Sequence, residues 1–197
     1  PGFNVAQKLN KMGFRGSPTG ELVFDECRVP AKNMVGLPDT GVAITMSGLD
    51  LERAIVCFNA MGIARRALEI SIDYAKTRQQ FGKPIASFQM VQAMLADMYT
   101  EIEVARTLSF RTAAMCEGLE EGAGGRGEIH KLTAAAIFKA AAATSFVLDR
   151  AVQIHGGAGY MRDTEVNRLY RTGRVLEVGA GTQEVRKLII SGELLKN

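Results

Sequence analysis

The side chains best suited to chemistry in this 197-residue chain are few and scattered. Leu49-Asp50-Leu51-Glu52-Arg53 sets two carboxylates and a guanidinium inside an otherwise apolar stretch. On a helix, Asp50 and Arg53 stand three residues apart, and an exposed pair at that spacing contributes roughly a few tenths of a kcal/mol. A carboxylate enclosed by the apolar stretch has a different use, because desolvation raises its pKa and suits it to proton abstraction. Spacing alone leaves both readings open. His130 and His155 have no partner pattern of a Ser-His-Asp triad, and no G-x-S-x-G segment supports one. Cys27, Cys57 and Cys116 lie far apart without CxxC or Cys/His spacing, so no metal site is indicated. They read as free thiols of a reducing compartment.

Two glycine-containing segments invite a phosphate-binding reading. Gly156-Gly157-Ala158-Gly159 is not G-x-G-x-x-G after a strand, and a helix C-cap followed by a turn accounts for it. Gly179-Ala180-Gly181-Thr182 precedes the last helical pattern, with Thr182 where an N-cap belongs. A helix start of this kind is also an anion site, and the residues alone permit either role.

The elements that must position these groups are mostly helical. Ile44, Leu51, Ile55, Phe58, Gly62 and Leu68 recur at helical spacings and predict a long helix over 42–77, weakened at Gly48. Arg78-Gln79-Gln80-Phe81-Gly82 closes it, with Gly82 expected as the C-terminal cap and Pro84 beyond. A second helix is expected over 87–117, its apolar face marked by Met90, Met94, Met98, Ile102 and Ala105. The segment 118–127 reads as a polar, glycine-rich turn and the most flexible point. An Ala-rich helix over 128–155 and shorter ones over 162–172 and 182–194 follow. Residues 1–35 differ: Glu21-Leu22-Val23-Phe24 is a short β-prone run between Gly16-Ser17-Pro18 and Pro30. The expected fold is mainly α, an antiparallel helical bundle over 36–197 preceded by a short β element.

Composition agrees with helices: 47% of residues are apolar, 7% aromatic and none is Trp. The net charge of +3 comes from interleaved acids and bases with no basic run, which disfavours a nucleic-acid partner. No stretch reaches ~18 uninterrupted apolar residues, so no membrane-inserted helix is expected. The Ala-rich run over 133–147 is too short and carries Lys139. The start PGFNVAQKLN has no initiator Met and matches neither a signal nor a transit peptide, so the chain reads as beginning mid-protein.

In order along the chain, these segments resemble one family over essentially the whole length. Gly13-Phe14-Arg15-Gly16-Ser17 and residues 21–30 look like the end of the middle β-domain of the acyl-CoA dehydrogenases. Arg78-Gln79-Gln80-Phe81-Gly82, Gln89, Leu95-Ala96-Asp97-Met98, residues 153–160 and Gly181-Thr182-Gln183-Glu184 continue the resemblance. Residues 47–53 and 177–182 look most like the isovaleryl branch. Many members carry the catalytic Glu immediately before the Gly-Thr pair, where this chain has Ala180. The isovaleryl branch takes its Glu from the first long helix, at the position of Glu52. Absence at one place and presence at the other mark Glu52 as the expected base, with Glu177 and Glu184 as rival acids.

The resemblance implies FAD-dependent α,β-dehydrogenation of a short or branched acyl-CoA to the 2-enoyl-CoA. It implies an electron-transfer flavoprotein as acceptor and a homo-oligomer, dimer or tetramer, in the bacterial cytoplasm or mitochondrial matrix. Asp50 and Arg53 are expected to contact the CoA portion, with Leu51, Gly179, Ala180 and Gly181 also on the substrate side. Arg78, Phe81, Gln89, Gln153, Gly156 and Gly157 are expected at a neighbouring subunit's FAD. Thr182, Gln183 and Glu184 are expected at the subunit's own. Phe58-Asn59 departs from the Gly-Gly pair of the isovaleryl pattern and bears on acyl specificity. The other readings are a related flavin oxidase, a non-catalytic helical subunit, and a fragment unable to hold FAD by itself.

Overall fold

The computed structural model describes residues 1–117 and 126–196. Three long helices carry the architecture: α1 (Gly41–Thr77), α2 (Gln89–Cys116) and α3 (Gly127–His155). They are followed by α4 (Gly157–Tyr160), α5 (Glu165–Gly173), α6 (Val175–Val178) and α7 (Gln183–Leu194). The helices form the expected antiparallel bundle, with α3 at its centre against α1, α2, α5 and α7. Residues 118–125, most of the expected flexible turn, lie outside the described residues.

Small side chains make the bundle tight. Ala54, Cys57, Ala60, Ala64, Ala67, Ser71 and Ala75 recur every three or four residues along α1 and are almost wholly buried. Ala136, Ala140, Ala143, Val147 and Ala151 answer from α3. Without bulk at the seam the two backbones approach closely. The Thr144 hydroxyl of α3 donates across the seam to the Ala60 carbonyl of α1 at 3.0 Å.

The buried face of α1 is therefore not the one the large apolar residues predict. Leu51 is 54% and Ile55 56% exposed, so they look outward, beside Glu52. Size misled the reading: an Ala/Cys/Ser stripe carries little hydrophobic weight but fits a close helix pair. On α2, Met98, Ile102 and Ala105 are buried as expected, whereas Met90 is exposed.

The end of α1 is also different. Arg78 leaves the helix in an extended conformation, and Gly82 does not cap it. Instead β3 (Gln79–Gln80) and β4 (Lys83–Pro84) pair as a minimal hairpin. Phe81 (φ 53°) and Gly82 (φ 78°) form its two-residue turn, the geometry of a type I′ connection.

At the N-terminal end, β1 (Phe3–Leu9) pairs antiparallel with β2 (Thr19–Phe24). The sequence reading found only the second of these strands. Both faces of this ribbon are exposed, Phe3 and Phe24 included. By length and composition α3 passes the test for a membrane-crossing helix. Yet 61% of its most apolar stretch is buried inside the bundle, and its apolarity is used there.

Candidate active site

Around Glu52 the structure separates neighbours in sequence by helical rotation. Successive residues of a helix turn by about 100°. Asp50 is fully buried and Arg53 is 4% exposed, so both point into the bundle. Leu51 and Glu52 point out of it. The Asp50 carboxylate accepts hydrogen bonds from Arg53 Nη1 at 3.1 Å, Thr133 Oγ1 at 3.2 Å and His130 Nδ1 at 2.7 Å. Because an ionised carboxylate only accepts, His130 carries its proton on Nδ1 here. Arg53, 3.5 Å from that same nitrogen, is a neighbouring donor and not a partner. Asp50 and Arg53, expected at the CoA portion, are engaged here with each other and with α3. Their polar heads are inside the α1–α3 seam, where they fix the rotation of α1 about its axis. That rotation aims Glu52 outward, beside the exposed Leu51 and Ile55. The desolvation expected for the base is not supplied by the described residues, since Glu52 is exposed.

The segment 179–182 is held from behind. The Gly179 N–H donates to the Val175 carbonyl at 2.7 Å, ending α6. The Gly179 carbonyl accepts from Arg186 Nη2 at 2.9 Å. Ala180 follows with φ 53° and Gly181 with φ 98°. A non-glycine residue in the left-handed region costs on the order of 1 kcal/mol and persists only where the surroundings impose it. The Ala180 N–H meets no acceptor among the described residues. Thr182 caps α7 as expected, its hydroxyl accepting from the Val185 N–H at 3.4 Å.

Arg186 is the residue that sequence reasoning missed. It is 1% exposed, with Nη1 donating to Gln183 Oε1 at 2.8 Å. Gln183 in turn donates from Nε2 to the Phe138 carbonyl of α3 at 3.1 Å. The Gln183 amide, expected at the flavin, makes both of these contacts within the fold. Burial pushes the Arg186 guanidinium below its ordinary value, and the charge of Arg53 adds to the effect. A signal existed: Arg186 opens the stripe Arg186, Ile189, Ile190 at the spacing of an inward face.

The rival acids are occupied. Glu177 pairs with Arg174, and its side chain is only 16% exposed. Glu184 is exposed, and its own backbone N–H, then the Thr182 hydroxyl, hold its carboxyl below the usual range. A carboxylate held low is a weaker base.

The remaining expected residues gather elsewhere. Arg78, Gly156 and Gly157 line a hollow of about 370 Å³ at the C-terminal ends of α1 and α3. Tyr74 stacks on His155 across it, ring centroids 4.3 Å apart. Gly156 caps α3 at φ 57°, and a Cβ at Gly156 or Gly157 would meet nothing within 4 Å. The backbone is thus open to a close-lying ligand, beside a guanidinium suited to phosphate oxygens. Gln89 and Gln153 are exposed, and Phe81 is 90% exposed at its hairpin tip. Phe138 and His155 lie 17 residues apart on one helix, so this hollow and the start of α7 are about 25 Å apart along α3. The two sets do not form one pocket.

Residues 39–195 match the family described as acyl-CoA dehydrogenase, C-terminal domain. The mitochondrial isovaleryl-CoA dehydrogenase of Oryza sativa subsp. japonica is 41% identical over 196 residues, 100% of this chain and 46% of that protein. The acryloyl-CoA reductase (NADH) of Anaerotignum propionicum is also 41% identical, over 100% of this chain and 48% of its own length. Butyryl-CoA dehydrogenase from Megasphaera elsdenii superposes with a TM-score of 0.90 at 38% identity, over 100% of this chain and 49% of that one. The chain thus spans about half the length of the relatives it matches. On sequence and fold together, it belongs to the acyl-CoA dehydrogenase family.

Proposed function

We propose that this chain forms part of an FAD-dependent enzyme that removes the α and β hydrogens of a short or branched acyl-CoA. Residues 1–35 would be the end of a β-domain and 36–197 the helical domain. Two observations support this reading: Glu52 is a carboxylate aimed out of the bundle, and the Ala180 N–H has no acceptor among the described residues. An α-proton beside a thioester is a weak acid, and its removal leaves negative charge on the thioester oxygen. Glu52 takes that proton as general base. The Ala180 N–H donates to the oxygen, and loss of one such donor typically costs about 3–4 kcal/mol of barrier. Leu51 and Ile55 present exposed apolar surface on one side of Glu52 that a bound acyl chain covers. Covering it strips water from the carboxylate and strengthens the base. FAD, when bound, would supply the acceptor for the β-hydrogen, which leaves as hydride.

Two separate groups of cofactor residues support an oligomer with flavins at subunit interfaces. Arg78, Phe81, Gln89, Gln153, Gly156 and Gly157 would face a neighbour's FAD, while Thr182 and Glu184 would face the subunit's own. Electrons would leave to an electron-transfer flavoprotein, in a bacterial cytoplasm or mitochondrial matrix. A second reading, reduction of a 2-enoyl-CoA on the same residues, is favoured by the likeness to an acryloyl-CoA reductase.

The test is Glu52→Gln in the full-length, FAD-loaded enzyme, mixed anaerobically with a panel of acyl-CoAs. Flavin absorbance should persist unbleached while FAD stays bound. Bleaching at the wild-type rate refutes the assignment of the base. Rapid reoxidation of the reduced wild-type flavin by air would identify an oxidase instead.

A further inference from the structure

Arg186 poses a question that packing does not answer. A buried guanidinium is costly and ordinarily faces a carboxylate. Here its two terminal nitrogens are spent on neutral oxygens, the Gly179 carbonyl at 2.9 Å and Gln183 Oε1 at 2.8 Å. Its Nε is buried and has no partner among the described residues. Asp50, the one fully buried carboxylate among the described residues, bonds Arg53, His130 and Thr133. The charge of Arg186 is therefore applied to the Gln183 amide and to one backbone peptide group.

That group is the Gly179–Ala180 peptide. The bond is planar and trans, so its C=O and N–H point in opposite directions. Fixing the carbonyl at Arg186 fixes the direction of the Ala180 N–H on the other side. Charge placed on a carbonyl also polarises the whole amide and makes its N–H a stronger donor. Resting on the reading that this N–H receives the thioester oxygen, we propose that Arg186 is a positioning residue for the reaction. It anchors and polarises the Gly179–Ala180 peptide so that the Ala180 N–H stabilises the enolate oxygen. The left-handed conformation of Ala180, φ 53°, is what lets the chain turn while that peptide keeps its orientation. The relay Phe138 O, Gln183, Arg186, Gly179 O ties the donor to the central helix at each link.

A purely structural role for Arg186, stapling α7 to the bundle, makes a different prediction. The two are separated by the infrared carbonyl stretch of 2-butenoyl-CoA, ¹³C-labelled at the thioester carbon, bound to the full-length FAD enzyme. In the wild type the bound stretch should lie below that of the free thioester. In Arg186→Met it should return most of the way to the free value. kcat should fall roughly 30- to 300-fold with KM changed less than about 3-fold, the pattern of lost transition-state stabilisation. Arg186→Lys, which keeps a cation but loses the fork, should give an intermediate stretch and an intermediate kcat. A wild-type stretch in either folded variant overturns the proposal, whatever happens to kcat. If Arg186→Met does not fold, Arg186→Lys decides alone. A wild-type complex with no shift at all refutes the placement of the thioester at Ala180, and the role of Arg186 falls with it.

Discussion

Replacing Asp50 by Ala is the sharpest way to ask whether the α1–α3 seam is built as described. Asp50 is fully buried and accepts from the side chains of Arg53, His130 and Thr133. Its removal leaves the Arg53 cation, 4% exposed and with no partner at Nε among the described residues, without the counter-charge of Asp50. The donors of His130 and Thr133 facing Asp50 also lose their acceptor. Breaking a buried pair in this way costs about 3–5 kcal/mol. A domain of this size loses roughly 2–4 °C of Tm per kcal/mol, so the midpoint should drop by about 6–20 °C. Asp50→Asn, which keeps one acceptor oxygen, should lose about half as much. The assay is urea and thermal unfolding of the full-length protein followed by circular dichroism. A loss under about 1 kcal/mol in Asp50→Ala is the size expected of an exposed ion pair and would refute the buried arrangement.

Further predictions concern single groups. Burial raises the Cys57 thiol to about 11, against an unfolded value of 9.0. Its thiolate fraction near neutral pH is then about 100-fold below that of a free thiol, so alkylation at pH 8 should label Cys27 first. Because the folded pKa is the higher one, the folded state holds the extra proton between pH 9 and 11. Stability from this group is complete below pH 9.0 and is lost as the pH climbs toward about 11, which a titrated melting series would show. Equal labelling of Cys57 and Cys27 would contradict the burial. Adding glutamate at Ala180 to a Glu52→Gly enzyme should restore part of the turnover. No recovery in a folded double variant would mean that the two positions do not serve one pocket.

Much of the helical frame was legible. Thr182 and Gly156 announced a helix start and a helix stop because capping is local chemistry that needs no tertiary partner. The face of α1 was not legible. Its buried stripe is written in Ala, Cys and Ser, which a hydrophobic pattern undervalues, and Leu51 and Ile55 pull the expected face round by about one residue. For the same reason the spacing of Asp50 and Arg53 leaves an exposed and an enclosed pair equally open. What buries them, His130 and Thr133, is some 80 residues away and contributes no local signal. Gly82 reads as a cap in the sequence because a positive-φ glycine serves a helix end and a hairpin turn equally well. Glu52 was found through Ala180, by family pattern; its outward aim is a property of the folded helix.

The hairpin at the end of α1 has one last consequence. Association must repay the freedom that surface groups surrender, and a rotamer-rich side chain surrenders about 0.5–1.5 kcal/mol. Phe81 has little left to surrender. The two-residue turn fixes its backbone, and Phe88 stands edge-on to its ring with centroids 6.0 Å apart, while 90% of its surface is exposed. The ordering was completed when the chain folded. An aromatic projecting from a stiff tip can therefore turn nearly all of its newly covered area into affinity.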